Sequence, residues 1–178
     1  MWRILIFLIL FSCHPVHAHD QKKQLEIPYN ILMEMIGFIE ENSEYEYDGS
    51  PLPEFYIQSS EEMCLVLFDD PPSPCHIAGY YNDETNTIYV ADKPTQHMHQ
   101  EGYVESIVVH ELVHFMQLIN GYYDVAPCIQ HLEGDAFDIQ DLYTDQNDHI
   151  HEENLNDPLF SMIARQCPGP GGFSLGGG

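Results

Sequence analysis

The chain has 178 residues, of which 29 are Asp or Glu and 5 are Lys or Arg, so its formal net charge is -24. A chain this acidic repels phosphate backbones, which excludes nucleic-acid binding, and it disfavours docking on an anionic membrane surface. Hydrophobic residues make up 44% of the sequence, which is enough to build the core of one globular domain.

Residues 1–18 are typical of a secretory signal peptide. Arg3 supplies the positive start, an unbroken apolar run follows over Ile4–Phe11, and the small residue Ala18 precedes the expected cleavage point. The apolar run is too short to span a bilayer and no longer run follows it, so we expect no transmembrane segment. An alternative is a lipid anchor at Cys13, because the residues around it resemble a lipoprotein box. The sequence therefore predicts an exported protein, periplasmic or extracellular.

The remaining chain is expected to form one α+β domain over residues 19–166, followed by a Gly- and Pro-rich tail over residues 167–178. A capping box of Ser59 and Glu62 marks the start of a short helix. The hairpin strands predict a small mixed or antiparallel sheet with the hairpin at its edge. The predicted elements, in chain order, are a helix within 21–41, a strand at 55–57, a helix from Ser59 to Leu67, hairpin strands at 77–81 and 87–90, a helix over Tyr103–Ile119 and a helix from about Pro127 to Tyr143.

Four cysteines lie beyond the signal peptide, and an even number in an exported chain predicts disulfide bonds. Four cysteines allow three pairings. We predict that Cys64 pairs with Cys75, which would close a short loop. Cys128 would then pair with Cys167 and tie the C-terminal residues to the core.

The strongest chemical signal is the motif H-E-x-x-H at His110–His114, inside the helix predicted over Tyr103–Ile119. Two histidines four residues apart lie on one helix face, so their imidazoles can bind one zinc ion. Glu111 lies between them and can act as a general base toward a water molecule. Because the flanking residues are apolar, we expect this helix to be buried except at its metal-binding face.

At these residues the chain resembles gluzincin-type zincin-like metallopeptidases, and in particular small exported bacterial zincin-like proteins of unknown function. The likeness covers about residues 77–143: the hairpin, then H-E-L-V-H-F-M-Q, then E-G-D-A-F-D-I-Q-D-L-Y. The second helix of that group often reads E-x-x-A-Tyr-x-x-Gln, and here Phe137 replaces the Tyr. The resemblance implies a zincin fold in which an edge strand borders the cleft. By that analogy, Thr87–Val90 would bind an extended peptide by strand addition.

The third metal ligand is expected from the helix that follows the motif. The metzincin continuation H-x-x-G-x-x-H fails, because Gln117 stands where that pattern has Gly and Asn120 stands where it has the last His. The gluzincin pattern implies a Glu about twenty residues on, which is met by Glu133, 19 positions after His114. Three residues of the same helix remain as alternatives to Glu133, and helix geometry turns the two aspartates well away from it. These alternatives are Asp135, Asp138 and His131.

Other polar side chains near the motif are assigned supporting roles. Gln117 and Gln140 are candidates to orient the ligating histidines. The oxyanion of the transition state also needs a hydrogen-bond donor, and the sequence does not choose between several residues. The candidates are Tyr122, Tyr123, Tyr143, His131 and His149.

These observations favour zinc-dependent hydrolysis of peptide bonds, with His110, His114 and Glu133 holding one Zn²⁺ ion and Glu111 as general base. The expected partner is a peptide or protein substrate. The alternative hypotheses are a non-catalytic zinc-binding module and a cleft that binds peptides without cutting them. A base such as Glu111 favours the enzyme, because a structural zinc site has no use for one.

Overall fold

A computed structural model describes residues 23–75, 77–92 and 102–147, together with Cys167. The predicted signal peptide and lipid anchor at Cys13, the candidate His149 and the tail beyond Cys167 lie outside the described residues. Within the described residues the chain forms a mixed α+β fold of helices and a small sheet. The elements are β1 (Lys23–Gln24), α1 (Tyr29–Asn42), β2 (Glu54–Gln58), α2 (Ser60–Leu67), β3 (Gly79–Asn82), β4 (Thr87–Ala91), α3 (Tyr103–Ile119), α4 (Tyr122–Val125) and α5 (Ile129–Gln146).

The local sequence signals explain most element boundaries. The capping box of α2 is present as predicted: the Ser59 hydroxyl accepts from the Glu62 N–H, and the Glu62 carboxylate accepts from the Ser59 N–H. Helix α1 begins only after Pro28, because the residues before it pair as β1 with β2. The short β1 and α4 were not predicted, since neither carries enough residues for a periodic pattern.

The sheet has four strands in the order β1-β2-β4-β3. Strands β2 and β4 are parallel, whereas the β1–β2 and β3–β4 pairs are antiparallel, so the sheet is mixed as expected. The expectation that Thr87–Val90 forms the edge beside the cleft was wrong. That segment belongs to β4, which pairs with β2 on one side and β3 on the other, and the hairpin strand at the edge is β3.

Helix α3 packs across one face of the sheet and forms the centre of the larger hydrophobic core. Of its 17 residues, 13 are buried, so each polar side chain among them needs a partner inside the protein. Helices α1 and α5 flank it, and residues such as Ile36 and Ala136 complete this cluster. The other sheet face carries Tyr80 and Tyr89, which stack at 4.9 Å and pack with Met63 of α2.

Both predicted disulfide bonds are present. Cys64–Cys75 joins α2 to the segment that leads into β3, and Cys128–Cys167 attaches Cys167 at the start of α5. No helix in the described part of the chain is long and apolar enough to cross a membrane. These findings are compatible with the expected export.

Candidate metal centre

Three predicted ligands meet between α3 and α5. His110 and His114 project from adjacent turns of α3, and Glu133 reaches them from the first turns of α5. The two histidine Nε2 atoms are 3.2 Å apart. Glu133 Oε2 is 3.4 Å from His110 Nε2, and Glu133 Oε1 is 3.5 Å from His114 Nε2. The fold therefore brings together the ligand set His110, His114 and Glu133, close enough to hold one metal ion.

The spacing of these atoms fits a small tetrahedral ion. Zinc binds imidazole nitrogen and carboxylate oxygen at about 2.0–2.1 Å, so two ligand atoms of a tetrahedral site are separated by about 3.3 Å. The three measured separations lie on either side of this value. Two imidazoles and one carboxylate are also the donor set of many catalytic zinc sites.

The tautomer of His110 is set by a buried amide. Its Nδ1 lies 3.0 Å from Gln140 Oε1, which can only accept, so Nδ1 carries the proton. The other end of the amide supports this orientation, because Gln140 Nε2 lies 3.4 Å from the Ser106 hydroxyl, which itself donates to the Tyr103 carbonyl. The ring edge also packs on Phe137 at 4.6 Å. The lone pair of His110 Nε2 is thereby directed toward the metal position.

His114 is oriented in the same way by a different amide. Its Nδ1 lies 2.9 Å from Gln117 Oε1, so this nitrogen is the donor. Gln117 Nε2 donates to the Leu132 carbonyl at 2.9 Å and to the Tyr45 hydroxyl at 3.2 Å, which fixes the amide orientation. The predicted supporting roles of Gln117 and Gln140 are therefore matched by their contacts.

The charges of the metal-free group are strongly coupled. Burial alone would lower the pKa of His114, but the neighbouring negative charge of Glu133 outweighs it and raises the pKa from 6.5 to about 9. Burial alone would raise the pKa of Glu133, but the two histidines outweigh it and hold that pKa well below its ordinary range. A proton held among these residues thus occupies the position that a cation would take.

Glu111 lies beside the three ligands and faces strand β3. Its side chain is almost fully buried, and its carboxylate accepts the backbone N–H of Tyr81. A Cβ atom on Gly79 would lie 2.9 Å from Glu111 Oε1, so the carboxylate in its present position packs directly against this glycine. Burial raises the pKa of Glu111, while the charges of His110 and His114 oppose the shift. Such an environment suits a general base, whose pKa should approach the working pH.

The alternative ligands lie elsewhere. Asp135 accepts a hydrogen bond from the Tyr45 hydroxyl at 3.1 Å, behind His114 rather than at the metal. His131 has a buried Nδ1 with no hydrogen-bond partner among the described residues, and it precedes Glu133 by two positions on the helix. Two positions correspond to about 200° around a helix, which turns His131 away from the metal group.

The supporting candidate Tyr143 lies away from the metal group as well. It follows Glu133 by ten positions on α5, which is about 15 Å along the helix. Its ring contacts Phe38 of α1 edge to face, at 5.1 Å between centroids. The pKa of Tyr143 is raised first by burial and then by the negative charge of Glu105, in the first turn of α3. This placement argues against an oxyanion role for Tyr143.

Among the oxyanion candidates in the described residues, Tyr123 on the short helix α4 interacts electrostatically with both Glu133 and Glu111. Burial first, and then the negative charges of Glu133, Asp83 and Glu111, raise the pKa of Tyr123 above its ordinary value. These couplings locate the phenol between the ligand helix and the β3–β4 hairpin. Sequence patterns named it only among five alternatives, because α4 is too short to define a face.

No family model, no curated protein and no solved structure matches this chain.

Proposed function

We propose that this protein is a zinc-dependent peptidase of gluzincin type, in which His110, His114 and Glu133 hold the metal and Glu111 is the general base. The observation that carries this proposal is the position of Glu111. It is a buried carboxylate next to a set of three ligands, but it is not one of them. Three protein ligands with a neighbouring base are typical of catalytic zinc, whereas structural zinc has four ligands.

Each residue has a separate task in the proposed reaction. A bound zinc ion would supply Lewis acidity, polarising the peptide carbonyl and lowering the pKa of a water molecule. Glu111 takes a proton from the attacking water and passes it to the leaving amine. Tyr123, kept protonated by its raised pKa, donates a hydrogen bond to the developing oxyanion. Gln117 and Gln140 keep both imidazoles in the tautomer that leaves Nε2 free for the metal.

The substrate is proposed to be an extended peptide segment that lies along the edge strand β3. The Tyr81 N–H on the outer side of this strand donates to Glu111, so the edge borders the proposed base directly. An extended chain beside β3 would pair with the outward backbone groups of that strand other than the Tyr81 N–H, which Glu111 already occupies, and its carbonyl groups would pass Glu111.

The test compares the purified protein with Glu111→Gln and with Glu105→Gln, an exposed glutamate on the same helix. We expect one equivalent of zinc in all three proteins, by metal analysis. Hydrolysis of a mixed peptide pool, followed by mass spectrometry, should be lost only in Glu111→Gln. Zinc in all three proteins without hydrolysis by any would favour the non-catalytic zinc-binding module. Absence of zinc from the unsubstituted protein would refute the metal centre.

A further inference from the structure

The hydrogen bond that orients His114 is the first link of a longer buried chain. His114 Nδ1 lies 2.9 Å from Gln117 Oε1, and Gln117 Nε2 lies 3.2 Å from the Tyr45 hydroxyl. The Tyr45 hydroxyl in turn lies 3.1 Å from Asp135 Oδ2. Two side chains thus connect a ligating histidine to a carboxylate that does not touch the metal group.

Every donor in this chain points toward the carboxylate. Gln117 Oε1 can only accept, so His114 must donate to it, and the Gln117 amide N–H can only donate to Tyr45. Asp135 as a carboxylate can only accept, so the Tyr45 hydroxyl donates to Asp135. Hydrogen bonds aligned in one direction polarise one another, and this effect increases in a low-dielectric interior. The negative charge of Asp135 therefore acts on the His114 ring through three aligned bonds.

Burial favours this arrangement. Tyr45 is 3% exposed and Gln117 is fully buried, so water does not compete for their polar atoms. Burial first raises the pKa of Tyr45 well above its ordinary range, and the phenol remains a donor at all physiological pH values. The ring is held edge to face against Tyr122, at 4.9 Å between centroids. The Tyr45 backbone N–H donates to Ser43, which fixes this residue to the end of α1.

The series of hydrogen bonds behind His110 ends at a different kind of group. His110 is linked through Gln140 and Ser106 to the backbone carbonyl of Tyr103, which carries no charge. The two ligating imidazoles are therefore not equivalent. Of the two, His114 is the one that these bonds connect to an anion on its far side, so the charge of Asp135 acts on it in the same direction as a directly bonded carboxylate would, through intervening bonds.

We propose that Tyr45 and Asp135 are positioning residues of the metal centre, which hold Gln117 against His114 and increase the affinity of the His114 imidazole for the metal. This inference rests on the proposed metal centre but not on hydrolysis. Neither residue belongs to the H-E-x-x-H helix. The affinity for zinc should thus depend on a hydroxyl from the loop after α1 and on a carboxylate that faces away from the ion.

The decisive variant is Tyr45→Phe, which keeps the ring packing against Tyr122 and removes only the hydroxyl. Its matched control is Tyr47→Phe, which removes a hydroxyl that donates to the Ser50 carbonyl instead of to a side chain of the chain behind His114. Zinc affinity is measured by competition with a chromophoric chelator on folded protein, and urea unfolding of the metal-free protein is measured in parallel. We expect Tyr45→Phe to weaken zinc binding by about 10-fold, the lower end of the range for residues bonded directly to a ligand, because the Leu132 carbonyl still holds Gln117 Nε2. Tyr47→Phe should leave zinc binding unchanged.

A second pair of variants separates the charge of Asp135 from its hydrogen bond. Asp135→Asn keeps an acceptor for Tyr45 but removes the negative charge, and Asp145→Asn makes the same change at an exposed site on the same helix. We expect weaker zinc binding only for Asp135→Asn. The ¹⁵N shifts of His114, read by NMR at a pH above 9 in metal-free protein, should show the Nδ1–H tautomer losing population in Tyr45→Phe.

The outcomes are distinct. If Tyr45→Phe destabilises the fold but binds zinc as tightly as Tyr47→Phe, the hydroxyl serves only packing and the proposal is overturned. Equal zinc affinity in Asp135→Asn and Asp145→Asn would refute the contribution of charge. If the unsubstituted protein does not bind zinc, the positioning role fails together with the metal centre. Weakened zinc binding in a protein that hydrolyses no peptide would support this inference while the peptidase proposal fails.

Discussion

The closest approach of the sheet to the proposed base occurs at Gly79, and we predict that Gly79→Ala displaces Glu111. A Cβ atom at this position would lie 2.7 Å from Ile107 Cγ2, 2.9 Å from Glu111 Oε1 and 3.1 Å from the Tyr89 carbonyl oxygen. Carbon atoms in ordinary contact are about 3.5–4.0 Å apart, so Ile107 and the new methyl must separate by about 0.8 Å or more. The backbone of Gly79 itself is not in the left-handed region, so the cost is steric.

The three neighbours of the added methyl group differ in how easily they can move. Ile107 is β-branched and stiff, and the Tyr89 carbonyl is backbone within the paired sheet, so the Glu111 carboxylate is the group that moves most easily. Overpacking of this kind costs about 1–3 kcal/mol of unfolding free energy. A displacement of about 1 Å at a reacting group can reduce the rate by about 100-fold. Zinc binding should be retained, because the ligands lie on α3 and α5.

The assay measures urea unfolding, zinc content and peptide hydrolysis for Gly79→Ala beside Gly37→Ala. Gly37 lies inside α1, and a Cβ there would meet nothing within 4 Å, so Ala should stabilise the helix by about 0.5–1 kcal/mol. The expected pattern is a less stable, less active Gly79→Ala protein that still binds zinc. A Gly79→Ala protein as stable and active as the unsubstituted chain would refute the close packing of β3 on Glu111.

Four further predictions concern pH, zinc and stability. In the metal-free protein, burial lowers the pKa of His114, but the charge of Glu133 raises it more strongly, from 6.5 to about 9. The stability that results is complete below pH 6.5 and is lost as the pH rises to about 9. The free energy of unfolding in urea should therefore decline over that window, and His114→Asn should remove the decline. Zinc displaces this proton, so its stabilising effect should be larger at pH 8.5 than at pH 6, and an equal effect at both would contradict the assignment. Ser59→Ala removes the capping hydrogen bond to Glu62 and should lower the unfolding free energy by about 1 kcal/mol, measured by urea denaturation against Ser73→Ala at an exposed serine. Replacing Cys64 and Cys75 together by Ser opens a loop of sequence separation 11 and should cost about 2–4 kcal/mol by the same assay, and unchanged stability would show that this bond does not constrain the fold.

The sequence predicts the parts of the fold that depend on local spacing. Helix α3 is recognised over its full length, Tyr103–Ile119, because its apolar period and its end at Asn120-Gly121 are both local signals. The capping box of α2 is predicted for the same reason. The order of the strands is not local: whether Thr87–Ala91 or Gly79–Asn82 forms the edge depends on the parallel pairing with Glu54–Gln58, more than thirty residues away.

The candidate metal centre also has features that local spacing predicts and features that only the packing reveals. The i, i+4 spacing brings His110 and His114 to one face, and the length of the connection to the next helix brings Glu133 opposite them. The amides of Gln117 and Gln140 could be proposed as supports, because they lie on the same two helices. The orientations of these amides could not be predicted from the sequence, because they depend on partners such as the Leu132 carbonyl, which are known only from the packing of α3 on α5.

Asp135 shows how a correct geometric argument can miss a functional connection. Two positions along a helix correspond to about 200°, so Asp135 and Glu133 cannot both face the metal. The same rotation carries Asp135 to the side of α5 that meets Tyr45, and Tyr45 contacts the Gln117 amide behind His114. No periodicity marks Tyr45, which lies in a turn-rich acidic stretch seventy-two residues from Gln117. Its direction on α5 excludes Asp135 as a metal ligand. The same direction places its carboxylate where its charge can act on His114 from the side away from the metal.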